Sequence, residues 1–366
     1  STFTHVSFNQ DNSCFIAGKV DGFSVFNSYP VKEIFRRTFD GQFGVKVCAM
    51  HYRTSLVAFT GDRTDLLKQY VHQQSQLQQQ NSKLEYPIDK FQHLHSPIGG
   101  FSIEDQTEQK FYPNVVYLFD DAENKFVGRL RFASEVYSIK FRKDCIVISL
   151  LHQIYVHSLK DLQLLDVINT ADFAPQFGIS TTEDDFVLAY VTPGSSGRVG
   201  LNFYFPATNK IERRYIDCHK SNITALHLSE DGQLLITGSE EGKYIRCFQT
   251  VCQQLICSFE RDVDKQIITS LQCRNNQVVC FTNKGQFWVF QLPKFETYQL
   301  AKVYEMIEGE APKFQKQKCQ WKKTITIEQL QMCGCIIEES VLVLTVKNLW
   351  YLINKNDVNQ NGSIEQ

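Results

Sequence analysis

The sequence has little that would place a protein in or across a membrane. No apolar run approaches the ~20 residues that a transmembrane helix requires. The first residues, STFTHVSFNQ, lack the charged-then-apolar pattern of a signal peptide. We therefore expect a protein that is not transmembrane and that acts in the cytoplasm.

A strong excess of charge of either sign is also missing. The 366 residues include 38 basic and 40 acidic side chains, so the formal net charge is −2 at pH 7. A nearly neutral chain has no long-range field to draw it onto nucleic acid or an anionic membrane, so any such binding must be local. The sequence thus predicts no nucleic-acid partner.

Metal-binding and catalytic motifs are absent as well. The 12 cysteines include no C-x-x-C pair, and neither they nor the histidines follow the spacing of a zinc site. The signatures of phosphate loops, dinucleotide folds, nucleophile elbows and zinc proteases do not occur. We expect reduced, mostly buried cysteines, no metal, no cofactor and no enzymatic activity. An enzyme would need a deep central pocket with converging carboxylates or a metal.

Short segments of alternating apolar and polar residues fill most of the chain, with turn residues between them. One set of four is EVYSIKFRK, CIVISLL, QIYVHSL and QLLDVIN. Sets of four strands that repeat every ~40–45 residues are typical of propeller blades. About seven such units predict an all-β, seven-bladed β-propeller over residues 1–353, followed by a disordered tail at 354–366. A face-to-face sandwich is the alternative, but four consecutive regular sets favour the propeller.

Two insertions interrupt this repeat. Residues 62–110, in the second blade, contain the glutamine-rich QYVHQQSQLQQQNSKLEY, which is typical of a solvated loop or of a partner-docking segment. Residues 292–318, in the sixth blade, contain apolar residues at helical spacing: Leu300, Val303, Tyr304 and Ile307. Glutamates accompany them, so packing against protein is as well supported as entry into lipid.

Several segments together resemble a known family. They are FNQDNSCFIAGKVDGFSVFNSYP, PNVVYLFDD, ASEVYSIKFRKDCIVISLLHQIYVHSL, CHKSNITALHLSEDGQLLITGSEEGKYIRCF and NKGQFWVFQL. This combination resembles the PROPPINs, seven-bladed, WD-repeat-like propellers of autophagy and endolysosomal membrane traffic. The resemblance implies binding of phosphatidylinositol 3-phosphate and 3,5-bisphosphate in two rim pockets. Each pocket is served by one arginine of a Phe/Leu-Arg-Arg-Gly motif, because a guanidinium matches phosphate oxygens.

The motif is altered in this chain. Phe259-Glu260-Arg261-Asp262 stands at its position, and the residue that replaces the first arginine, Glu260, lies 14 residues after Arg246. A glutamate facing a phosphate removes donors and adds repulsion between like charges. The resemblance therefore implies a weakened first pocket and a second pocket that keeps Arg261.

The resemblance assigns candidate residues to both pockets. The first pocket would use His219, Thr237, Ser239, Gly242 and Arg246. The second would use Arg261, Thr282, Lys284 and Gln286, with Trp288 where the family has a histidine. Structural roles are the alternative: strand-end hydroxyls satisfy backbone groups, the histidine of a WD repeat bonds within its blade, and Arg246 could pair with Glu240 or Glu241.

The family also binds proteins, and some members use an Asn and an Asp of the first-blade turn. Asn9 and Asp11 match that pattern, although Asn-x-Asp is also ordinary hairpin-turn chemistry. We expect a non-enzymatic adaptor on endosomal, vacuolar or autophagic membranes, with weakened or single-pocket phosphoinositide binding and recruited protein partners. The alternative is a pure propeller scaffold in a protein complex, with lipid binding lost.

Overall fold

The protein is described by a computed structural model. It describes residues 3–39, 44–62, 111–170, 176–182, 185–194, 196–261, 266–297, 300, 315–317, 321–324, 332–337, 340–345, 349–354 and 360–363. The chain divides into two compact units, Ser1–Ile168 and Asn169–Gln366.

The first unit contains three four-stranded antiparallel sheets, each built from consecutive strands. The first sheet comprises β1 (His5–Phe8), β2 (Cys14–Lys19), β3 (Gly22–Asn27) and β4 (Lys32–Thr38). The second comprises β5 (Val45–Met50), β6 (Leu56–Gly61), β7 (Val115–Asp120) and β8 (Lys125–Arg131). The third comprises β9 (Ser138–Phe141), β10 (Cys145–Ser149), β11 (Gln153–Ser158) and β12 (Leu164–Asn169).

The second unit begins with two sheets formed by consecutive strands. The first of them comprises β13 (Phe177–Ile179), β14 (Phe186–Val191), β15 (Arg198–Phe205) and β16 (Lys210–Asp217), with a 3-10 turn at Pro206–Thr208. The next comprises β17 (Ile223–Leu228), β18 (Leu234–Ser239), β19 (Tyr244–Gln249) and β20 (Gln254–Glu260).

The remaining strands complete the second unit in a less regular order. The strands β21 (Ile268–Arg274), β22 (Gln277–Thr282) and β23 (Gln286–Gln291) are followed by β24 (Gln315–Gln317), which pairs with β20, and by β25 (Trp321–Thr324), which pairs with β23. The last sheet comprises β26 (Met332–Ile337), β27 (Ser340–Thr345), β28 (Leu349–Asn354) and β29 (Gln360–Ser363).

The burial pattern explains why these segments form strands of different character. Middle strands such as β2 and β10 are buried along their whole length, so they are nearly continuous apolar runs. The last strand of a sheet, such as β4, alternates between exposed and half-buried residues. Within the second unit, Ile245, Phe259 and Phe290 lie in the buried cluster between the sheet of β17–β20 and that of β21–β23. This cluster fixes the end of β20.

The seven sheets among the described residues confirm the predicted all-β class and the seven-bladed β-propeller fold. The glutamine-rich insertion lies outside the described residues from position 63 onward. The second insertion is described at residues 292–297, at Leu300 and in β24. The other residues predicted at helical spacing, Val303, Tyr304 and Ile307, lie outside the described residues.

The predicted disordered tail is wrong at four residues, since Gln360–Ser363 form β29 and pair with β28.

Candidate functional site

The end of β20 places consecutive motif residues on opposite faces of one sheet. In the antiparallel register, Arg246 lies opposite both Thr237 and Ser258, and Tyr244 lies opposite Glu260. Because side chains alternate along a strand, Glu260 shares the face of Arg246 and Thr237. The side chain of Arg261 follows on the other face, which packs against the sheet of β21–β23. Both sets of candidate residues are therefore positioned by this one strand.

The first set is held together by a buried histidine. The His219 Nε2 atom lies 3.0 Å from Thr237 Oγ1, and the His219 backbone N–H donates to the carbonyl of Gly197 at 3.0 Å. Burial, and then the positive charge of Arg246, lower the pKa of His219 to about 4. The imidazole is consequently neutral at pH 7 and contributes no positive charge to this side of the site.

Arg246 is the cation of this first set. Its Nη1 donates to the carbonyl of Cys218, and its side chain is half-buried. Glu240 accepts from the Asn222 side-chain amide at 3.4 Å, and the alternative pairing of Arg246 with Glu240 or Glu241 stays a prediction. Ser239, which is buried at the end of β18, contributes its carbonyl as acceptor for the Gly242 N–H at 2.8 Å.

Glu260 is engaged by two neighbours from the adjacent turn and strand. Lys243 Nζ lies 3.1 Å from Glu260 Oε1, and the Tyr244 hydroxyl donates to the same oxygen at 3.1 Å. The Lys243 ammonium also lies 5.2 Å from the centre of the Tyr244 ring. Where the family has its first arginine, this chain thus has a carboxylate that also engages a lysine.

Arg261 is enclosed by the protein. Its side chain belongs to a residue only 1% exposed, and its guanidinium carbon lies 4.5 Å from the centre of the Trp288 ring. Nε donates to the carbonyl of Gly242, and Nη2 donates to the carbonyl of Gln266 at 3.1 Å. Among the described residues Nη1 has no hydrogen-bond partner. Burial lowers the pKa of Arg261, which nevertheless remains a cation at neutral pH because arginine starts from such a high value.

The polar residues beside Arg261 are bonded to one another. The Thr282 hydroxyl lies 3.0 Å from Gln266 Oε1 and 3.2 Å from the carbonyl of Gln286. Gln266 Nε2 donates to Gln286 Oε1 at 3.1 Å. Lys284 is exposed in the turn between β22 and β23. The second set is therefore assembled around Gln266, and the lysine stands outside that network.

Gly242 brings the two sets into contact. Its φ is +66°, a left-handed conformation that glycine adopts at little cost. A Cβ at this position would lie 1.9 Å from the carbonyl oxygen of Gln266. The turn after β18 can therefore touch the connection after β20 only because residue 242 has no side chain.

Most of the predicted site residues lie in two groups, and within each group they bond to one another or to nearby backbone atoms. His219, Thr237 and Arg246 lie together, and Arg261, Thr282 and Gln286 lie around Gln266. Sequence reasoning missed Gln266 and the pairing of Lys243 with Glu260. The stacking of Arg261 on Trp288 had one available signal, the tryptophan where the family has a histidine. Asp262 lies outside the described residues.

The predicted partner-binding pair lies in the turn between β1 and β2. Asn9 is 2% exposed; its Oδ1 accepts from the Cys14 N–H at 3.0 Å and its Nδ2 donates to the carbonyl of Tyr52 at 3.2 Å. Asp11 is exposed and accepts from the Ser13 N–H at 3.0 Å. These contacts support the hairpin-turn interpretation for Asn9, and they leave Asp11 as the accessible member of the pair.

The described residues contain no group of three or more His, Cys, Asp or Glu side chains able to hold a metal ion. In the same part of the chain, no helix has the length and apolar character needed to cross a membrane.

The chain is similar to a known protein family and to its members. The model of the PROPPIN family matches residues 107–300. Autophagy-related protein 18e of Arabidopsis thaliana is 28% identical over 315 residues, which cover 84% of this chain and 71% of that protein.

Solved structures agree in fold. Kluyveromyces lactis Hsv2 with its complete loop 6CD has a TM-score of 0.72 at 15% identity and covers 100% of this chain and 99% of its own. A complex of KlAtg21 with the coiled-coil of AgAtg16 has a TM-score of 0.68 at 16% identity, with 100% of both chains covered.

Proposed function

Because the chain belongs to the PROPPIN family, we propose that it is a non-enzymatic adaptor at endomembranes. In this proposal it recruits protein partners and binds phosphoinositides weakly, on the Arg261 side of the site only. The observation that carries the proposal is Glu260, whose carboxylate lies on the face of Arg246 and holds Lys243 at 3.1 Å.

Electrostatics disfavours a phosphate on the Arg246 side. A phosphate there would meet the Glu260 carboxylate at the position where the family has its first arginine. His219 is neutral at pH 7, because its pKa is about 4. Each missing charge-assisted hydrogen bond is worth roughly 1.5–3 kcal/mol. Arg246 alone is therefore a poor substitute for a two-arginine pocket.

On the Arg261 side the guanidinium that could bind a phosphate is present but buried. The guanidinium has one nitrogen, Nη1, that lacks a partner among the described residues, and it is only 1% exposed as the protein stands. A phosphate would have to reach Nη1 through a rearrangement of the surrounding Gln266, Thr282 and Gln286. The free energy of that rearrangement is subtracted from binding, which supports weak affinity.

Recruitment of a protein partner is supported by the relatives. KlAtg21 forms a complex with the coiled-coil of AgAtg16, and the Arabidopsis relative is named an autophagy-related protein. We extend this to the present chain as an adaptor whose protein partner belongs to the autophagy or membrane-traffic machinery. The partner contributes affinity for the membrane that the lipid site lacks.

Flotation with vesicles tests the lipid part. Vesicles containing phosphatidylinositol 3-phosphate are compared with vesicles of equal charge that contain phosphatidylserine instead. We expect weak specific flotation of the unaltered chain and at least a tenfold gain, about 1.4 kcal/mol, for Glu260→Arg combined with Asp262→Gly. Glu212→Arg combined with Asp161→Gly, at a carboxylate in β16 paired with Arg214 and at an exposed turn residue after β11, raises the net charge by the same three units and serves as a control. If the double variant floats no better than this control, no pocket is built on the Arg246 side.

A second candidate function is favoured by the burial of Arg261. If its enclosure is permanent, the protein is a pure scaffold subunit in which lipid binding is lost. A stoichiometric partner recovered with the full chain but lost on deletion of residues 65–90, together with no flotation of any variant, supports this candidate. Specific flotation of the isolated chain contradicts it.

A further inference from the structure

One buried glutamine contacts both Arg261 and the polar side chains beside it. Gln266 is 6% exposed and stands just before β21, where its backbone carbonyl accepts from Arg261 Nη2 at 3.1 Å. Its side-chain amide contacts both ends of the turn between β22 and β23. There Gln266 Oε1 accepts from the Thr282 hydroxyl at 3.0 Å, and Nε2 donates to Gln286 Oε1 at 3.1 Å. Gln266 therefore joins the segment that covers the guanidinium to the turn that carries the other candidate ligands.

The Gln266 amide engages the groups that a phosphate would need. The Thr282 hydroxyl and the Gln286 side chain both belong to the second set of candidate ligands, and Gln266 bonds to both. Gln266 Oε1 is an acceptor for the Thr282 hydroxyl, which is the role that a phosphate oxygen would play. A carboxamide and a phosphate group are also similar in size. The side chain is thus an internal substitute for a bound anion.

The substitution is incomplete, because a carboxamide carries no charge. Arg261 is 1% exposed, and among the described residues its Nη1 has no hydrogen-bond partner. A phosphate would give Nη1 an anionic acceptor, and such charge-assisted bonds are roughly twice as strong as neutral ones. Gln286 would have to turn its amide over, since its Oε1 faces Gln266 and a phosphate dianion has no proton to donate. The Gln266 amide and an anion therefore compete for the same groups, and charge favours the anion.

Displacing the Gln266 side chain leaves little unsatisfied. The Thr282 hydroxyl also lies 3.2 Å from the carbonyl of Gln286, so it keeps an acceptor. Gln286 is half-buried, so water can replace the contact that its side chain loses. Arg261 bonds to the backbone of Gln266 and to that of Gly242, and both contacts persist when only the Gln266 side chain moves. The amide can thus leave while the guanidinium stays in place, which is a far smaller change than unfolding.

We propose that the Gln266 side chain is an autoinhibitory contact, which fills the phosphate position on the Arg261 side so that a headgroup binds there only by displacing it. The inference rests on the proposed function for the identity of the ligand, a phosphoinositide headgroup. It assigns the weak affinity of this side to one side chain. A consequence is that removing a polar side chain from the site strengthens the binding of a polar ligand.

Substitutions at Gln266 test the contact without disturbing the backbone. Gln266→Ala removes the amide and keeps the carbonyl that Arg261 uses, and Gln266→Ser does the same while leaving a small hydroxyl in the space. Gln249→Ala is the matched control, because Gln249 is 3% exposed in β19 and its amide also forms a bridge. Its Nε2 donates to Gln233 Oε1 at 2.8 Å, and its Oε1 accepts from the Cys252 N–H at 2.8 Å.

Access to Arg261 is measured without any lipid. Phenylglyoxal modifies accessible guanidinium groups, and mass spectrometry gives the ratio of modification at Arg261 to that at Arg246. We expect both Gln266 variants to raise this ratio about fivefold or more, because the buried guanidinium becomes accessible, and Gln249→Ala to leave it unchanged. An unchanged ratio in the Gln266 variants overturns the proposal, and so does an equal rise in Gln249→Ala.

Binding of soluble inositol 1,3-bisphosphate, followed by calorimetry, separates this proposal from the proposed function. We expect Gln266→Ala to gain about fivefold or more in affinity, the effect of about one hydrogen bond, and to lose that gain when Thr282→Val is added. A raised modification ratio with no headgroup binding in any variant rejects the phosphoinositide function and leaves the closure of Arg261 by Gln266 established. Headgroup binding that is equal with and without the amide, or a gain that survives Thr282→Val, overturns the proposed competition.

Discussion

Glu260 and Arg261 are neighbours in sequence, yet they belong to two different environments. Glu260 is half-buried at the surface, where its carboxylate pairs with Lys243 and accepts a hydrogen bond from the Tyr244 hydroxyl. Arg261 is 1% exposed and is bonded to two carbonyls above an indole ring. Alternation along one strand is sufficient to produce this difference. A change of residue at position 260 therefore alters the charge on one face of β20 without touching the contacts of Arg261 on the other face.

The comparison also separates two uses of arginine. Arg246 gives one nitrogen to the carbonyl of Cys218 and remains partly exposed, so its removal leaves little that is buried and unsatisfied. Arg261 donates to the carbonyls of two buried residues, Gly242 and Gln266. Its side chain therefore stabilises the fold whether or not it also binds a ligand. An arginine in a family's binding motif is thus no proof of a binding site in a given member.

The largest difference that we expect between the two sides is in the stability lost when each arginine is removed. Arg261→Ala leaves the carbonyls of Gly242 and Gln266 without donors and uncovers Trp288, so we expect it to cost about 3 kcal/mol. Arg246→Ala is expected to cost about 1 kcal/mol. Urea unfolding midpoints measure both. Equal losses would show that Arg261 is not enclosed as described.

The next largest effect that we expect is a loss of folding stability in acid, caused by His219 on the Arg246 side. The pKa of His219 is about 4 in the folded protein and 6.5 in its ordinary state, so the unfolded chain gains a proton first. Stability that is complete above pH 6.5 is lost as pH falls toward 4, and this histidine accounts for on the order of 3 kcal/mol of the loss. We expect His219→Gln to make the free energy of unfolding depend less on pH between 6.5 and 4. An unchanged pH profile would place His219 in contact with solvent.

His5 in β1 offers a comparison for that titration. Burial alone lowers the pKa of His5 to about 4, without a neighbouring arginine as second cause. Arg246→Ala should therefore raise the folded pKa of His219 and leave that of His5 unchanged, which proton NMR titration can follow. A parallel rise in both would mean that the substitution had loosened the whole chain.

A smaller effect is expected from the hydroxyl on the Arg261 side. Thr282→Val keeps the shape of the side chain and removes the hydroxyl that lies 3.0 Å from Gln266 Oε1 and 3.2 Å from the Gln286 carbonyl. The cost should be about 1 kcal/mol in urea unfolding. Thr282→Ser, which keeps the hydroxyl, is the control, and a serine variant as unstable as the valine variant would assign the loss to packing.

The smallest effect on stability, and a measurable one on binding, is expected from Glu260→Gln. The exposed pair with Lys243 contributes roughly 0.2–1 kcal/mol, so unfolding should hardly change. Flotation with phosphatidylinositol 3-phosphate should rise a few-fold, because a carboxylate leaves the face of Arg246 and Lys243 becomes available. Glu212→Gln makes the same change in net charge in β16. Equal gains in both variants would mean that net charge, not the site, controls flotation.

The fold could be predicted because its signal is local. Segments such as CIVIS and QIYVHS alternate or run apolar over the length of a strand. Turn residues stand between consecutive strands, as Glu230-Asp231-Gly232 does between β17 and β18. The sorting of Glu260 and Arg261 to different pockets also follows from strand alternation. These features need only residues that are close in sequence.

What could not be predicted depends on contacts between distant segments. Gln266 encloses Arg261 through its backbone carbonyl, which carries no residue-specific signal. The sequence Gln-Lys-Gln of β24 has neither alternation nor an apolar residue, so its pairing with β20 is invisible to periodicity. The same holds for β29, whose Gln-Asn-Gly-Ser sequence is typical of a tail.

The glycine at position 242 has a counterpart one sheet earlier. Gly197 has a φ of +73°, and a Cβ there would lie 1.9 Å from the carbonyl oxygen of His219, just as one at Gly242 would meet that of Gln266. The two turns thus pack against the following connections in the same way, and neither contact requires an anion. Selection for packing alone would preserve these glycines in a lineage that no longer recognises lipid. The presence of glycine at these two positions therefore reports how the turns pack, and it does not by itself report that an anion is bound.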